Sequence, residues 1–331
     1  MHASCFPDAT NARLRRALRE RRVPGSLHYQ SAVQAQHWLD LHRKYSPSRA
    51  EATCAAAYDD AFRAAAEPMA AATELVVVGL GCGGGAKDAR LVAELAQHGA
   101  PPACVPVDVG LPMVIMGAQA TRAAVPAADI HPLVIDLLAA KDVGSVLAGL
   151  AGPAPRVLTF FGLIPNFEPE EIMPRLAALV RPGDLLLFSA NLAPGPDYRA
   201  GVEAILPQYD NPETRAWLSL FLKDVGLPPD RGELRFQVAP CPSGAGFLRV
   251  EATWEANAPQ TIRVLDEDFT FHPGAPIGLF FSYRHTPATI RALLAAHGLA
   301  PLREWSAADG QEGIFLCRAQ TPAPEHLISA D

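Results

Sequence analysis

A glycine-rich turn at residues 79–85 is the stretch of this sequence best suited to hold a ligand against backbone atoms. It reads Gly-Leu-Gly-Cys-Gly-Gly-Gly, follows the β-branched run 76–78 and precedes helix-forming residues 86–95. In a strand–turn–helix unit, such glycines permit positive φ and open N–H groups at the helix start to a ligand. The same glycines would also permit close packing of strand on helix with no ligand at all. The candidate cofactor contacts in this segment are Gly79, Gly81, Gly83 and Lys87.

The glycine pattern alone leaves the class of cofactor open. Residues 81–86 match G-x-G-x-x-G/A, the dinucleotide pattern, so an NAD(P)-dependent oxidoreductase is one alternative. A Walker A phosphate loop is not indicated, because the sequence contains no Gly-Lys-Ser/Thr triplet.

Acidic residues lie at the ends of the next two predicted strands. Asp108 is in the run CVPVDV (104–109), and Asp136 closes IHPLVID (130–136). Ligands of open parallel sheets bind outside the carboxyl ends of the strands. Asp108 is therefore expected to bind ribose hydroxyls and Asp136 to lie near an adenine, although each could instead cap a loop or helix. A glycine turn and two acids at successive strand ends fit S-adenosylmethionine better than a second nucleotide.

The loop after the fourth predicted strand, in FFGLIPNFEPEEI (160–172), brings Gly162 and Asn166 to the same edge. An asparagine side chain both donates and accepts hydrogen bonds. Asn166 can therefore hold an amine or a carboxylate without a charge that would repel a sulfonium. Its alternative role is that of a turn residue before the next helix.

Alternating strands and helices must position these residues. The predicted strands are 75–79, 104–109, 130–136, 156–162 and 184–190, and the predicted helices are 86–97, 112–123, 141–149 and 168–180. Such repeats with short loops predict a doubly wound, largely parallel sheet. A helix at 287–298 and strands near 300–306 and at 313–319 follow, an antiparallel closing hairpin typical of class I methyltransferases. The predicted fold class is therefore α/β, a class I methyltransferase Rossmann-like doubly wound sheet with a C-terminal antiparallel hairpin.

Residues 191–285 interrupt this alternation and predict an inserted α+β substrate lobe. Helical stretches are predicted near 197–206 and 212–225, and strand-like runs at 247–254 and 261–269. The predicted organisation is an N-terminal segment (1–55) contributing to the substrate lobe, a methyltransferase core (56–192 and 286–331) and the inserted lobe (193–285). Ser48 is a candidate N-cap for a helix over 50–66.

Composition narrows the compartment and the partners. The 331-residue chain carries a net charge of −7, which disfavours a broad nucleic-acid surface, and its basic stretch 13–22 is interpreted as a solvated helix face. No apolar run approaches the ~18 residues of a membrane helix, and no secretory signal is visible. Six scattered cysteines without a C-x-x-C pair and ten dispersed histidines indicate a reducing compartment and no metal site. We expect a cytoplasmic monomer or small homo-oligomer whose partner is a small molecule, not nucleic acid or a membrane.

Several stretches together resemble the ergothioneine-pathway histidine Nα-methyltransferases and their relatives acting on tryptophan derivatives such as dimethylallyltryptophan. These stretches are GSLHYQSAVQAQHWLDLHRKYSPSR (25–49), VVVGLGCGGGAKDARLV (76–92), CVPVDVG (104–110), FFGLIPNFEPEEI (160–172), QYDNPETRAW (208–217), PQTIRV (259–264) and DFTFHPGAPIGLFFSYRHTPATI (268–290). The resemblance spans about residues 25–318 and is specific in the combination of its motifs.

The resemblance implies that S-adenosylmethionine is the cofactor. The residues it assigns are Gly81, Gly83 and Lys87 at the methionine end, Asp108 at the ribose, and Asp136 and Leu137 beside the adenine. Lys87 would pair with the cofactor's carboxylate in this assignment.

The resemblance also implies an amino acid substrate that is methylated on its α-amine. Asn166 and Tyr209 would hold the amino acid backbone, with Tyr29 and Gly162 nearby, and Ser282 would contact the side chain. Tyr29 and Asn166 are the candidate catalytic residues, because they could orient the lone pair of the amine. Tyr29 could also relay a proton through water.

Three departures from the family pattern change the expected substrate. Phe280 stands where the histidine enzymes carry Glu, so the side-chain pocket loses an acceptor for imidazole and gains aromatic surface. Pro165 replaces a glycine before Asn166 and stiffens that loop, and Arg284-His285 replaces Lys-Tyr. We therefore expect an amino acid or derivative with an apolar or aromatic side chain. A non-catalytic relative that binds ligands without turnover is the remaining alternative.

Overall fold

The computed structural model describes residues 1–45 and 52–320. Its strands, in chain order, are β1 (Val76–Leu80), β2 (Ala103–Asp108), β3 (Leu133–Val134), β4 (Arg156–Phe161), β5 (Leu185–Asn191), β6 (Gly232–Pro240), β7 (Leu248–Ala256), β8 (Gln260–Val264), β9 (Glu267–Phe271), β10 (Ile277–Arg284), β11 (Leu299–Ser306) and β12 (Glu312–Ala319). Its α-helices are α1 (Pro7–Glu20), α2 (Ala32–Tyr45), α3 (Ala52–Met69), α4 (Ala86–Ala96), α5 (Leu111–Ala124), α6 (Val143–Ala151), α7 (Pro169–Leu179), α8 (Tyr198–Ala204), α9 (Leu206–Tyr209), α10 (Pro212–Asp224) and α11 (Pro287–Ala296).

Seven strands form the central sheet in the order β11-β12-β5-β4-β1-β2-β3. The five strands β1 to β5 run parallel, whereas β12 lies antiparallel to both β5 and β11. This order confirms the predicted fold class, including the antiparallel hairpin that closes the sheet.

The central strands are buried on both faces, as their aliphatic runs predict. Val78 and Leu158 face a hydrophobic core closed by α6 and α7, whereas Val77 and Val157 face a second core closed by α3 and α4. Because successive residues of a strand point to opposite faces, each strand contributes to both cores. The carboxyl edge of the sheet is then the part left to meet a ligand.

The lobe consists of an antiparallel sheet in the order β10-β7-β6 and the separate hairpin β8–β9. Its core combines Leu18 and Leu27 of the N-terminal segment with Phe221 of α10 and Trp254 of β7. The backbone N–H of Val23 donates to the carbonyl of Gly278 at 2.8 Å, so the N-terminal segment also runs along β10. The domain bounds 1–55, 56–192 with 286–331, and 193–285 stay predictions.

The interpretation of residues 13–22 as a solvated helix face is wrong for Arg13, whereas Arg19 and Arg22 are exposed as that interpretation predicts. Arg13 is buried and pairs with Asp136 at 3.0 Å. Arg19 pairs with Glu267 at 2.5 Å, and Arg22 pairs with Glu168. These ion pairs attach the N-terminal segment to the core and to the lobe.

Three further differences concern secondary structure. The run 261–269 is two strands, β8 and β9, because Leu265 turns the chain with a φ of 58°. The predicted strand 130–136 forms a strand only over Leu133–Val134, and Ile130 pairs with Cys104 through an isolated bridge. β6 was not predicted, and its residues alternate between half-buried and exposed along one edge of the lobe.

The proposed cap Ser48 lies outside the described residues. Within residues 1–45 and 52–320, no helix combines the length and the apolarity that crossing a membrane requires.

Candidate active site

The glycine turn adopts left-handed backbone conformations that favour glycine. Gly81, Gly83 and Gly85 have φ values of 61°, 53° and 69°. A Cβ on Gly85 would lie 2.5 Å from Gly117 Cα, and one on Gly79 would lie 2.5 Å from Asp88 Oδ2. Packing inside the protein therefore accounts for Gly79 and Gly85. Gly81 and Gly83 instead lie against side chains of other segments, which can move.

Side chains from two other segments cover the turn. A Cβ on Gly81 would lie 2.5 Å from Leu163 Cδ1, and one on Gly83 would lie 2.9 Å from Trp38 Cη2. Leu163 belongs to the loop after β4, and Trp38 to α2. The turn thus meets both the loop that carries Asn166 and the N-terminal segment.

Asp108 ends β2 and connects the glycine turn to the start of α5. Its carboxylate accepts hydrogen bonds from the N–H groups of Gly83 and Gly110, each at 3.0 Å. Burial raises the pKa of the carboxyl, although the hydrogen bonds from Gly110 and Gly83 oppose this rise. A carboxylate has about four acceptor sites, so two bonded N–H groups leave capacity for ribose hydroxyls.

Asp136 is occupied by contacts within the protein. One oxygen accepts from the N–H groups of Leu138 (2.9 Å) and Ala139 (3.0 Å), and the other pairs with Arg13. These contacts are those of a capping residue, which is the alternative role expected for Asp136. Its contact with adenine stays a prediction. Leu137 is half-buried and lines a cavity of about 290 Å³ between the sheet and α6–α7.

Lys87 belongs to a buried hydrogen-bond network. Its Nζ donates to the Tyr58 hydroxyl at 2.8 Å and lies 3.2 Å from Glu312 Oε1. Glu312 also accepts from Tyr58 and from Ser189 Oγ (3.2 Å). Burial alone would raise the pKa of the Glu312 carboxyl, but the charge of Lys87 and the hydrogen bonds from Tyr58 and Lys87 hold it below its ordinary value. Pairing of Lys87 with a cofactor carboxylate, which stays a prediction, would compete with or extend this ion pair.

No local sequence pattern indicates Tyr58 or Glu312, because the two residues are far apart in the chain and far from Lys87. Ser189 could have been found, since it lies near the end of the fifth parallel strand. Its Oγ accepts from the N–H of Gly162 at 3.0 Å. A Cβ at Gly162 would meet nothing within 4 Å, so this glycine borders open space beside the network.

Asp88 is a further acid beneath the glycine turn that the sequence did not single out. It is buried and accepts from Thr159 Oγ1 at 2.7 Å. Burial raises the pKa of its carboxyl to about 6, against the opposing effects of Thr159 and Lys87.

The loop after β4 is fastened to the lobe. Asn166 Nδ2 donates to the carbonyl of Phe281 at 2.7 Å. Two residues later, Glu168 accepts from Arg249 at 3.0 Å and from the Tyr283 hydroxyl at 2.5 Å, and it also pairs with Arg22. These contacts fix the position of Asn166 against β10 and β7.

Five aromatic side chains form a cluster between the lobe and the glycine turn; the aromatic cluster consists of Tyr29, Trp38, Tyr209, Trp217 and Phe280. The ring centroids of Tyr29 lie 5.9 Å from Trp38 and 5.8 Å from Trp217, and those of Phe280 lie 6.0 Å from both Tyr209 and Trp217. Three members were singled out from the sequence, whereas Trp38 and Trp217 were missed. Both missed residues lie in stretches that carry the family resemblance.

Burial defines the acid–base behaviour of the aromatic cluster. Burial, and then the negative charge of Asp108, raise the pKa of the Tyr29 hydroxyl. Tyr29 is therefore a neutral phenol at physiological pH. The buried Trp217 Nε1 in the same cluster has no hydrogen-bond partner among the described residues.

The polar residues next to the aromatic cluster lie on β10. Alternation along the strand puts Phe280, Ser282 and Arg284 on one face. The hydroxyls of Ser282 and Tyr209 are 2.8 Å apart, and Arg284 Nη2 donates to the Tyr209 hydroxyl at 3.0 Å. The sequence singled out Ser282 and Tyr209, whereas it marked Arg284 only as a departure from the family.

The sheet order, the left-handed glycine turn and the acid at the end of β2 define a class I methyltransferase. The chain matches the family described as histidine-specific methyltransferase, SAM-dependent, over residues 24–214 and 245–319. It therefore belongs to this family of S-adenosylmethionine-dependent methyltransferases. Neither the family match nor the sheet order supports the alternative of an NAD(P)-dependent oxidoreductase.

Two solved structures with a similar fold are distant in sequence. The 1,6-didemethyltoxoflavin-N1-methyltransferase of Burkholderia thailandensis is 12% identical, with 87% of this chain and 89% of that chain covered and a TM-score of 0.44. The amino pentose methyltransferase CalS10 of Micromonospora echinaspora is 16% identical, with coverage of 84% and 97% and a TM-score of 0.39. No curated protein sequence matches the chain. Similarities this distant say nothing about which substrate the chain binds.

The residues present fit S-adenosylmethionine. The backbone at Gly81 and Gly83 is covered by the side chains of Leu163 and Trp38, so the methionine end of the cofactor reaches it only if these side chains shift. Asp108 retains acceptor capacity for ribose. The acids Asp88 and Asp108 lie at the same edge of the sheet, and their negative charge suits a sulfonium cation.

Proposed function

We propose that the protein transfers a methyl group from S-adenosylmethionine to the α-amine of an amino acid, or amino acid derivative, with an apolar or aromatic side chain. The observation that carries this proposal is the aromatic cluster, in which Phe280 packs beside Tyr209 and Trp217. The cluster reaches the glycine turn through Trp38, which lies against Gly83. An aromatic surface adjoining the cofactor site suits a substrate with a flat or apolar side chain.

The roles of the other residues follow from their chemistry. Asn166 is held through Nδ2, and its carbonyl oxygen can accept a hydrogen bond from the substrate amine. Such a bond directs the nitrogen lone pair, and correct orientation of reactants is worth several kcal/mol. Tyr209 and Ser282 can donate hydrogen bonds to the carboxylate end of the amino acid, a role for Ser282 that differs from the side-chain contact expected from the family resemblance.

Tyr29 acts in this proposal as a neutral hydroxyl. Its raised pKa means that it is not a phenolate base at neutral pH. It can accept a hydrogen bond from the amine and pass one to water, which removes the proton from the ammonium form. Bound S-adenosylmethionine supplies the electrophilic methyl group, so the protein needs chiefly to exclude water and hold the amine in line.

Calorimetry with S-adenosylhomocysteine tests the cofactor part of the proposal. We expect binding by the wild type and a loss of roughly 100-fold or more in the Asp108→Ala variant, since charged hydrogen bonds contribute about 1.5–3 kcal/mol each. Absence of binding by the wild type in the high-micromolar range would sink the proposal.

A mass-spectrometric screen tests the substrate part. The twenty amino acids and their thiolated or prenylated derivatives are incubated with S-adenosylmethionine, and products heavier by one, two or three methyl groups are sought. We expect N-methylated products from apolar or aromatic members. Binding of S-adenosylhomocysteine with no product from any member would favour the non-catalytic relative instead. The proposed setting is the cytoplasm, with a small molecule as the partner.

A further inference from the structure

Arg284 is a buried cation at the polar end of the candidate pocket. Arg284 is only 4% exposed. Nη1 donates to the carbonyls of Leu192 (3.1 Å) and Gln311 (3.4 Å), and Nη2 donates to the Tyr209 hydroxyl (3.0 Å). Nε has no hydrogen-bond partner among the residues that the structure describes. Within residues 1–45 and 52–320, no carboxylate lies within ion-pair distance of this guanidinium.

The other buried arginines of the described chain behave differently. Arg13 pairs with Asp136 at 3.0 Å, and Arg156 pairs with Asp184 at 2.5 Å. Arg249, on the neighbouring strand β7, pairs with Glu168 at 3.0 Å. Burying a charge without a counter-ion carries a large desolvation cost. Among these four buried arginines, Arg284 is the one with no carboxylate of the described chain to offset its desolvation cost.

The surroundings of Arg284 indicate where an anion would lie. The guanidinium carbon lies 5.5 Å from the centroid of the Tyr209 ring, and the Tyr209 hydroxyl is 2.8 Å from Ser282 Oγ. Three donors of different types therefore converge at one end of β10. Phe280 lies two residues before Ser282 on the same face, roughly 7 Å away along the strand.

We propose that Arg284 forms the ion pair with the carboxylate of the substrate and makes that carboxylate a requirement for binding. This inference rests on the proposed function and adds the specificity determinant at the acidic end of the amino acid. An amino acid would place its side chain toward Phe280 and its carboxylate at Tyr209, Ser282 and Arg284. Amides, esters and decarboxylated amines of the same side chain would leave the guanidinium buried without an anion.

The same chemistry could come from a second source, the carboxylate at the methionine end of the cofactor. We assign the substrate because Arg284 bonds Tyr209 of the lobe and shares a face with Phe280. The cofactor's carboxylate would instead make S-adenosylhomocysteine affinity depend on Arg284, which the experiment measures separately.

The test compares acids with their carboxamides in the presence of saturating S-adenosylhomocysteine. The probes are L-phenylalanine, L-tryptophan, L-leucine and L-histidine, each against its amide, with binding measured by calorimetry. We expect the wild type to bind at least one acid roughly tenfold or more tightly than its amide. Arg284→Gln should remove this preference, Arg284→Lys should keep part of it, and Arg235→Gln, at an exposed arginine of β6, should leave it unchanged.

Several outcomes would overturn the inference. One is a wild type that shows no preference for any acid, which needs no variant and so does not depend on folding of Arg284→Gln. Another is an Arg284→Gln protein that keeps the preference, and a third is a variant that loses S-adenosylhomocysteine affinity while its acid preference persists. Methylation of acids and amides at equal rates would also overturn it, yet would leave the proposed methyltransferase activity standing.

Discussion

The two sides of the candidate site differ in how their polar groups are satisfied. On the cofactor side, Asp108 accepts from two backbone N–H groups, and Glu312 accepts from Tyr58, Ser189 and Lys87. On the substrate side, Trp217 Nε1 and Arg284 Nε are buried without a partner among the described residues. Buried polar groups are normally hydrogen-bonded, because leaving one unpaired costs about 1–3 kcal/mol. The core thus fixes Asp108 through backbone N–H groups and Glu312 through side-chain donors, whereas the lobe keeps donors that a ligand can use.

The largest expected effect concerns the pH dependence of stability and comes from the lobe side. His285 is fully buried, and burial followed by the charge of Arg284 lowers the pKa of its imidazole to about 4. Its folded pKa lies below its unfolded value of about 6.5, so its neutral form is favoured in the native state and stability falls as pH drops from about 6.5 to 4. Replacing it by Phe should remove about 3 kcal/mol of this acid destabilisation.

Urea titrations between pH 4.5 and 7 give the free energy of unfolding at each pH, and the effect is measured as a change in its slope against pH. His28, whose pKa burial also lowers to about 4, leaves the His285→Phe protein with part of its acid sensitivity. The exposed-site variant His98→Phe is the control. An unchanged slope in His285→Phe would contradict the burial of a neutral imidazole.

A slightly smaller effect of opposite sign is expected from the core side. Burial raises the pKa of Asp88 to about 6, above its unfolded value, so the native state favours the protonated acid. Stability from this group is present below pH ~4 and is lost as pH rises through about 6. Asp88→Asn should therefore gain about 1–3 kcal/mol relative to the wild type between pH 4 and 7. Thermal unfolding of the variant and the wild type at pH 4 and pH 7 measures this gain. A stability difference between the two proteins that is the same at both pH values would contradict the prediction.

Phe280→Glu should change the side-chain preference. A carboxylate beside Tyr209 and Trp217 would accept a hydrogen bond from an imidazole and would disfavour an apolar side chain. We expect the affinity for L-histidine relative to L-phenylalanine to rise by roughly tenfold. Binding of each amino acid is measured with S-adenosylhomocysteine present. Wild-type behaviour toward every imidazole ligand would mean that Phe280 does not line the pocket.

The smallest expected effect is that of Gly81→Ala. Its φ of 61° and the 2.5 Å approach of Leu163 to a new Cβ should cost about 1–2 kcal/mol of stability. The matched control is Gly149→Ala in α6, where a Cβ meets nothing within 4 Å, and it should gain about 0.5–1 kcal/mol. Thermal unfolding of both variants checks the difference, which would vanish if the turn tolerated a side chain.

The same contrast governs what the sequence could predict. Strand β1, the turn and α4 follow from local patterns, and Asp108 follows from its place at the end of β2. These features depend on neighbours a few residues away. The bonds from Asn166 to Phe281 and from Lys87 to Glu312 depend on segments more than 100 residues apart, and no local pattern encodes them. Burial of Arg13 could not be predicted either, because its partner Asp136 belongs to another segment.

The attachment of Glu168 to Arg22, Arg249 and Tyr283 has a consequence for motion. Asn166 lies two residues from this acid and is itself bonded to β10, so a displacement of the lobe is passed on to Asn166 directly. The glycine turn belongs to the core and stays with the central sheet. The contacts of Asn166 and Glu168 therefore couple any movement of the lobe to the edge of the sheet where the glycine turn lies.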